Sequence, residues 1–230
     1  VRMKTKIIKI NPKNPEISKI KKASNILKND GLVAFPTETV YGLGANGLNK
    51  KSVKKIFIAK GRPQDNPLIL HVSDINQVNS LVKKVPVKAK RLMEKFWPGP
   101  LTIIFKKSKL VPHIVTCGLD SVAIRMPKNK IALELIRASG CPIAAPSANL
   151  SGKPSPTNAM HVIDDLKNKI DAIIDGGEVE IGIDSTVLDL TQKIPQILRP
   201  GKLTKNQIEE VIGTLKQNIN SKKPRSPGMK

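Results

Sequence analysis

Two short segments concentrate groups that bind anions. Lys60-Gly61-Arg62-Pro63 closes a helical pattern in which Val53, Ile56 and Phe57 share one face, and Gly61 is placed to end that helix in a left-handed turn. Pro146-Ser147-Ala148-Asn149 follows the apolar run Pro142-Ile143-Ala144-Ala145, which reads as a buried strand. Hydroxyl and amide groups therefore open at a strand end, the usual mouth of an α/β sheet. An ammonium, a guanidinium, a hydroxyl and an amide are the donors a phosphate or carboxylate needs. Lys60 and Arg62 are the candidates for compensating charge in a reaction, and Ser147 and Asn149 for holding the ligand.

Arginine usage sharpens this reading. Of 40 basic residues only seven are Arg, so lysine is the default cation of this chain and arginine marks places where a planar fork is wanted. Arg62, Arg125 and Arg199 all stand at the ends of apolar or helical runs: Arg125 in Val122-Ala123-Ile124-Arg125-Met126-Pro127, Arg199 in Ile197-Leu198-Arg199-Pro200-Gly201. Each alone reads equally as a surface ion pair; the three together point to an anionic ligand.

The elements that position these groups alternate as in an α/β protein. Asn14 and Pro15 suggest a cap and first turn for a helix with Ile17, Ile20, Ser24 and Leu27 on one face, ended by Gly31. Strands are expected at 32–35, 68–72, 101–105, 122–125, 143–145, 172–174, 186–190 and 196–198. Helices are expected before Lys60, around 75–82, 87–96, 131–138 and 158–166, and from a cap at Thr204 to about 213. Residues 37–41 read as a Thr-rich loop. The segment 150–157, with two prolines, two serines and a glycine, is expected to be ordered by turns or by ligand. One compact domain over 1–213 is expected, followed by a basic linker or tail over 214–230.

Composition bounds the function. No apolar run approaches a membrane span, and residues 1–9 are too basic and too broken for a signal peptide, so a soluble, cytoplasmic protein is expected. Cys117 and Cys141 stand apart, and His71, His113 and His161 form no metal-ligand spacing, which supports neither a zinc site nor a disulfide framework, though a single bridge stays open. The net charge of +22 implies attraction to polyanions, yet aromatic residues at 3% leave few platforms for stacking single-stranded bases. No Ser-His-Asp or Cys-His set and no Walker A loop is present. The Gly42-Leu43-Gly44-Ala45-Asn46-Gly47 run matches GxGxxG, with Asp65 about where a ribose-binding acid is wanted, but no buried strand precedes it and no helix pattern follows. Its glycines are expected to let backbone approach a ligand.

The chain resembles the threonylcarbamoyl-adenylate synthase family, the YrdC-like proteins. The resemblance rests on 35–44 (Phe-Pro-Thr-Glu-Thr-Val-Tyr-Gly-Leu-Gly), on Lys60 to Pro63 with Asn66-Pro67-Leu68 and His71, and on Trp97-Pro98-Gly99-Pro100. It continues through 122–127, Ala145 to Asn149, Asp184-Ser185-Thr186-Val187 and Arg199-Pro200-Gly201, all in the family's order over about residues 5–213. It implies a twisted, open, mixed β-sheet flanked by helices, similar to dihydroxybutanone-phosphate-synthase-type folds. It implies synthesis of L-threonylcarbamoyl-adenylate and pyrophosphate from L-threonine, bicarbonate and ATP, for modification of the tRNA adenosine beside the anticodon. In that reading Lys60 and Arg62 are catalytic and bind ATP together with Ser121, Ser147, Asn149, Ser155 and Arg199. Thr37, Arg125, Ala145 and Ser185 take threonine, with His71 as a pocket residue. Magnesium is expected on the phosphates with few protein ligands of its own, and the partners implied are a threonylcarbamoyl-transferase protein and tRNA. The 214–230 tail, by likeness to relatives whose linker crosses the active-site mouth, is expected to be either a loose lid over ATP or a solvated leash. Read from the residues alone, Thr37 and Thr39 are ordinary turn residues, Ser185-Thr186 an edge-strand pair and His71 a hydrogen-bonded core residue. The competing class is a double-stranded RNA or tRNA binder without turnover.

Overall fold

The structure, a computed structural model, describes residues 3–217. In chain order its elements are β1 (Lys6–Lys9), α1 (Ile17–Lys28), β2 (Val33–Pro36), β3 (Tyr41–Asn46), α2 (Lys50–Lys60), β4 (Ile69–His71), α3 (Ile75–Leu81), α4 (Val87–Phe96), β5 (Leu101–Lys106) and α5 (His113–Thr116). There follow β6 (Ser121–Arg125), α6 (Lys130–Ser139), β7 (Ile143–Ala144), α7 (Ala159–Leu166), β8 (Ala172–Asp175), β9 (Thr186–Asp189), β10 (Gln196–Arg199), α8 (Lys205–Ile212) and β11 (Lys216–Gln217). The strands form one open sheet in the order β1-β8-β2-β3-β7-β4-β6-β5-β9-β10-β11. It is mixed: β4 runs parallel to β6 and β5 to β9, whereas β2 and β3 form an antiparallel hairpin and β7 is antiparallel to both β3 and β4.

Alternation along the strands assigns the two faces. Ala34, Leu43, Leu70, Ile103, Ile124 and Leu188 point into the larger core, which α2, α4, α7 and α8 close with Ile56, Leu92, Val162 and Ile208. On the opposite face Val33, Phe35, Ile143 and Ile174 pack against Ile20 and Leu27 of α1 and Ile131 and Leu135 of α6. Farther along that second face Ile69, Ile104, Ala123, Val187 and Leu198 form a cluster of strand residues alone. The helices stop there, and the pocket begins.

Several expectations are corrected. The helix at 17–28 is capped by Glu16, without a side-chain cap, and not by Asn14. Asn11 gathers the turn instead, accepting from Lys13 N and Asn14 N while its own N–H donates to Glu16 Oε2. The left-handed residue that ends α1 is Asp30 (φ 62°), one position before Gly31. The sequence reading misses β1, β3, β11 and the short α5, and it places Tyr41 of β3 in the Thr-rich loop. The chain also stays within the fold past residue 213, since Leu215 is buried and β11 lies parallel to β10. The expected tail lid falls outside the described residues.

β3 escapes sequence reading because Tyr-Gly-Leu-Gly-Ala-Asn has little strand propensity. Its Gly44 is required by packing: a Cβ there would lie 2.8 Å from Phe35 Cε1 and 2.8 Å from Ile143 Cγ2. The glycine therefore admits neighbouring side chains, not a ligand. At Gly61 (φ 60°) the expectation holds: Gly61 N and Arg62 N close α2 onto Ile58 O and Phe57 O, and the turn projects Arg62.

Candidate active site

A cavity of about 500 Å³ opens on the helix-free part of the sheet, within the range of small-molecule sites. Its floor is β4. Ile69 and His71 share a face and lie roughly 6.6 Å apart along the strand, which gives the cavity a direction. One end is at the C-termini of β4 and β6, and the other is where α2 delivers Lys60 and Arg62.

At the first end Arg125 is 3% exposed. Its Nε donates to Gly99 O (3.2 Å), Nη1 to Thr39 Oγ1 (2.9 Å), and Nη2 forms a buried ion pair with Glu38 Oε1. Glu38 Oε2 in turn accepts from Lys128 N at 2.6 Å. Burial and the neighbouring Arg199 push the Arg125 guanidinium below its ordinary range, and the paired carboxylate makes the charged form tolerable there. The β2–β3 turn presents Thr37, whose hydroxyl donates to Val40 O (2.6 Å) and lies 3.0 Å from Thr39 Oγ1. Ser185 lies 2.7 Å, hydroxyl to hydroxyl, from the buried Thr102 on β5. Arg199 spans Ser185, donating to its backbone oxygen (2.9 Å) and its hydroxyl (3.1 Å). Burial holds the Arg199 guanidinium below its ordinary range, against the opposing pull of Asp184.

His71 satisfies both readings: it is buried, and it lines the pocket. Its ring meets Phe35 edge-on at 6.2 Å, and its Nδ1 has no hydrogen-bond partner. Burial draws it down to about 4, so the ring stays neutral at physiological pH.

At the second end Lys60 is 2% exposed. Its Nζ donates to Ser147 O and to Asn149 O (2.7 Å), with Asn149 Oδ1 at 3.5 Å, while Ser151 N returns a bond to Lys60 O. One ammonium thus ties the end of α2 to the 147–151 loop. Burial, and then the charge of Arg62, draw it down to about 7. Arg62 is held by Asn66 O (3.2 Å) and Pro67 O (2.9 Å), and burial lowers it to about 10. The 150–157 segment is ordered by turns and by Asp165, which accepts from Leu150 N and pairs with Lys153, while Asn149 Nδ2 donates to Leu150 O and Lys153 O. Ser155 donates to Asp184 at 3.1 Å.

The fold thus gathers Lys60, Arg62, Ser147, Asn149, Ser155 and Arg199 with Thr37, His71, Arg125, Ala145 and Ser185 around one cavity. Ser121 is not among its lining residues: it begins β6, on the face of Ala123 and Arg125 but roughly 13 Å from Arg125. Sequence reading assigned no role to Glu38, Thr102, Asn66 or Asp184. Asn66, buried, has an unpartnered Oδ1, and Asp184 is the carboxylate of the lining. No cluster of three His, Cys, Asp or Glu side chains suited to a metal occurs among the described residues, and Cys117 and Cys141 are free thiols.

The family model for Sua5, YciO and YrdC proteins, described as telomere recombination, matches residues 25–201. The chain belongs to the Sua5/YciO/YrdC family. It is 53% identical over 219 residues to a threonylcarbamoyl-AMP synthase of Pyrococcus abyssi, covering 92% of this chain and 64% of that protein. With the Bacillus subtilis threonylcarbamoyl-AMP synthase it shares 57% over 217 residues, covering 92% and 62%. The solved structure of P. abyssi Sua5 complexed with L-threonine superposes with a TM-score of 0.96 at 52% identity, covering 98% of this chain and 68% of that one. The chain spans under two thirds of the length of these curated relatives.

Proposed function

We propose that this Sua5/YciO/YrdC protein makes L-threonylcarbamoyl-adenylate from L-threonine, bicarbonate and ATP, releasing pyrophosphate. The observation that carries the reading is the polarity of the cavity. One end offers the donors of Arg125 already paired with Glu38, beside the hydroxyls of Thr37 and Ser185, and the other offers Lys60 and Arg62 held by neutral carbonyls. The first suits the carboxylate of a zwitterion, the second a polyphosphate. The relatives' names and the threonine complex of the P. abyssi protein support the assignment.

In this reading the ammonium of the bound zwitterion first releases a proton to solvent. The neutral amine then adds to the carbon of carbon dioxide drawn from bicarbonate, and the proton it loses combines with the hydroxide left by bicarbonate to give water and a carbamate. A carbamate oxygen then attacks the α-phosphorus of ATP; that P–O bond forms as the bond to pyrophosphate breaks. The step joins two anions, so fixed cations at the point of attack are the protein's main contribution. Lys60 shapes the 147–151 loop and brings its charge to it, Arg62 faces the phosphates, and Arg125 orients the amino acid for in-line attack. His71, kept neutral, accepts a hydrogen bond without repelling the cations around it. The apolar side chain of Ile69, which lines the cavity and packs with Ala123 and Ile104, suits the adenine. A donor set with one carboxylate, Asp184, among cations fits magnesium carried on the phosphates, and the ion would neutralise phosphate charge there.

The product would serve modification of tRNA adenosine beside the anticodon, through transient contact with a transferase protein in the cytoplasm. No helix among the described residues is long and apolar enough to cross a membrane. Pyrophosphate release with threonine, bicarbonate and ATP, in the absence of RNA, tests the reading: omission of any one reactant should abolish it. Absence of release with all three present leaves the RNA-binding alternative standing.

A further inference from the structure

The two ends of the cavity pose a problem of selection. A pocket that gathers Lys60, Arg62, Arg125 and Arg199 for a polyphosphate offers attractive seats to every inorganic anion, its own pyrophosphate product included. An anion lodged on Arg125 would block the amino acid. Arg125 differs from Lys60 and Arg62 in its anchors: those two rest on carbonyl oxygens, whereas Arg125 is joined to a carboxylate whose side chain is 2% exposed. The carboxylate is fixed at both oxygens, by Arg125 and by Lys128 N.

Counting donors shows what remains. A guanidinium carries one N–H on Nε and two on each terminal nitrogen. Gly99 O takes the first, and Thr39 and Glu38 take one from each terminal nitrogen. One N–H on each terminal nitrogen has no partner among these bonds, and Arg125 lines the cavity. We propose that Glu38 is a specificity-determining residue: it cancels the charge of Arg125 while leaving that fork of donors intact, so that the amino-acid end accepts the carboxylate of a zwitterion and rejects phosphate and pyrophosphate. This rests on the reading that Arg125 receives the threonine carboxylate. A dianion loses more hydration on entry than a carboxylate does and needs net positive charge to offset the loss. Beside Glu38 it meets a dipole, and a zwitterion brings its own positive group into the carboxylate's field.

The test is a gain of binding, which a merely structural role does not produce. Inorganic phosphate is titrated calorimetrically into the wild type, Glu38→Gln and Glu38→Asp, without threonine, after each variant's melting temperature confirms folding. Beyond any phosphate bound at Lys60 and Arg62 in the wild type, Glu38→Gln should acquire a second phosphate site, at least about tenfold tighter than any wild-type binding at Arg125 and lost again when Arg125→Met is added. Glu38→Asp keeps the charge on a shorter arm and should gain no phosphate site even where its KM for threonine rises. With threonine present, phosphate should become competitive with it in Glu38→Gln alone. A higher KM for threonine in Glu38→Gln with no new phosphate site overturns the proposal and makes Glu38 a purely geometric support. If Glu38→Gln does not fold, the wild type decides: phosphate in large excess must not displace bound threonine, and displacement overturns the proposal. Because the calorimetric arm contains no threonine, a protein that fails to use threonine refutes the proposed function without altering this result.

Discussion

The end of the cavity proposed for the amino acid and the end proposed for the phosphates use similar cationic residues and hold them in opposite ways. Arg125 is locked by an ion pair, and Lys60 and Arg62 are locked by carbonyl dipoles. Both devices fix geometry, because a guanidinium or ammonium with its donors engaged has few rotamers left. They differ in the charge that remains. A buried ion pair leaves a neutral, directional donor set, whereas a carbonyl cage supplies no countercharge; burial lowers Arg125, Lys60 and Arg62 alike, so the ends differ in the partner each cation has and not in its desolvation. In the proposed reading, a polyphosphate supplies at the second end the countercharge that Glu38 already supplies at the first.

The hardest blow to this contrast is Lys60→Ala. It removes charge where it accumulates in the transition state and leaves Ser147 O and Asn149 O without their donor. Turnover should fall on the order of a hundredfold, with the KM for threonine changed far less. Pyrophosphate release at wild-type rates would return Lys60 to a structural role in the loop. Next in size is Arg125→Lys, which keeps a charge but loses the fork. One charge-assisted hydrogen bond, about 1.5–3 kcal/mol, should go, raising the KM for threonine by one to two orders of magnitude while that for ATP stays near its wild-type value. Equal effects on both would erase the distinction between the ends.

A pH series sharpens the contrast without mutation. The folded value of Lys60, about 7, lies below its unfolded value of 10.5, so above pH 7 the unfolded chain holds a proton that the folded one has released. Stability contributed by this site therefore rises with pH from about 7 toward the ordinary lysine range. ATP affinity runs the other way. It should weaken as pH rises through 7, with proton uptake on binding at pH 8 visible as a dependence of calorimetric heat on buffer ionisation enthalpy. Lys60→Met should flatten both curves. Threonine affinity should stay level between about pH 6 and 8, because Arg125, drawn down by burial to about 9, is still charged there and His71, near 4, is neutral throughout.

How far the sequence reveals this differs between the ends as well. Lys60, Gly61 and Arg62 are legible because a helix stop and its left-handed glycine lie contiguous in the chain, and Ser147 and Asn149 because an apolar strand runs straight into them. Arg125 stands out through the rarity of arginine. Its partner does not: Glu38 is 87 residues away, joined only when the β2–β3 hairpin turns back over β6, and that hairpin was hidden by the glycines of β3. Asn66 and Asp184 stand within motifs of the family resemblance, yet what marks them is an orphaned amide oxygen and a place in the cavity wall, properties of the fold and not of spacing. Local chemistry was readable, and long-range charge pairing was not.

The smallest expected effect probes how far the phosphate end extends. The family resemblance gives Ser121 to ATP, whereas the cavity lining omits it. The parallel register of Ile69 with Ala123 resolves the geometry, since Ser121 lies two residues farther along β6 toward the Asn66–Pro67 end, on the face of the Ile69–Ala123–Ile104 strip. A nucleotide with its phosphates at Lys60 and Arg62 and its base over that strip brings a polar edge within reach of this hydroxyl. One neutral hydrogen bond, about 1 kcal/mol, then sets the scale: Ser121→Ala should weaken ATP roughly fivefold, leave threonine unaffected and leave stability within about 0.5 kcal/mol. Comparing ATP with a triphosphate lacking the base separates the contributions, because the variant should lose its effect on the latter. Unchanged ATP affinity would place the base elsewhere and confine the nucleotide to the cavity drawn by Lys60, Asn149 and Arg199.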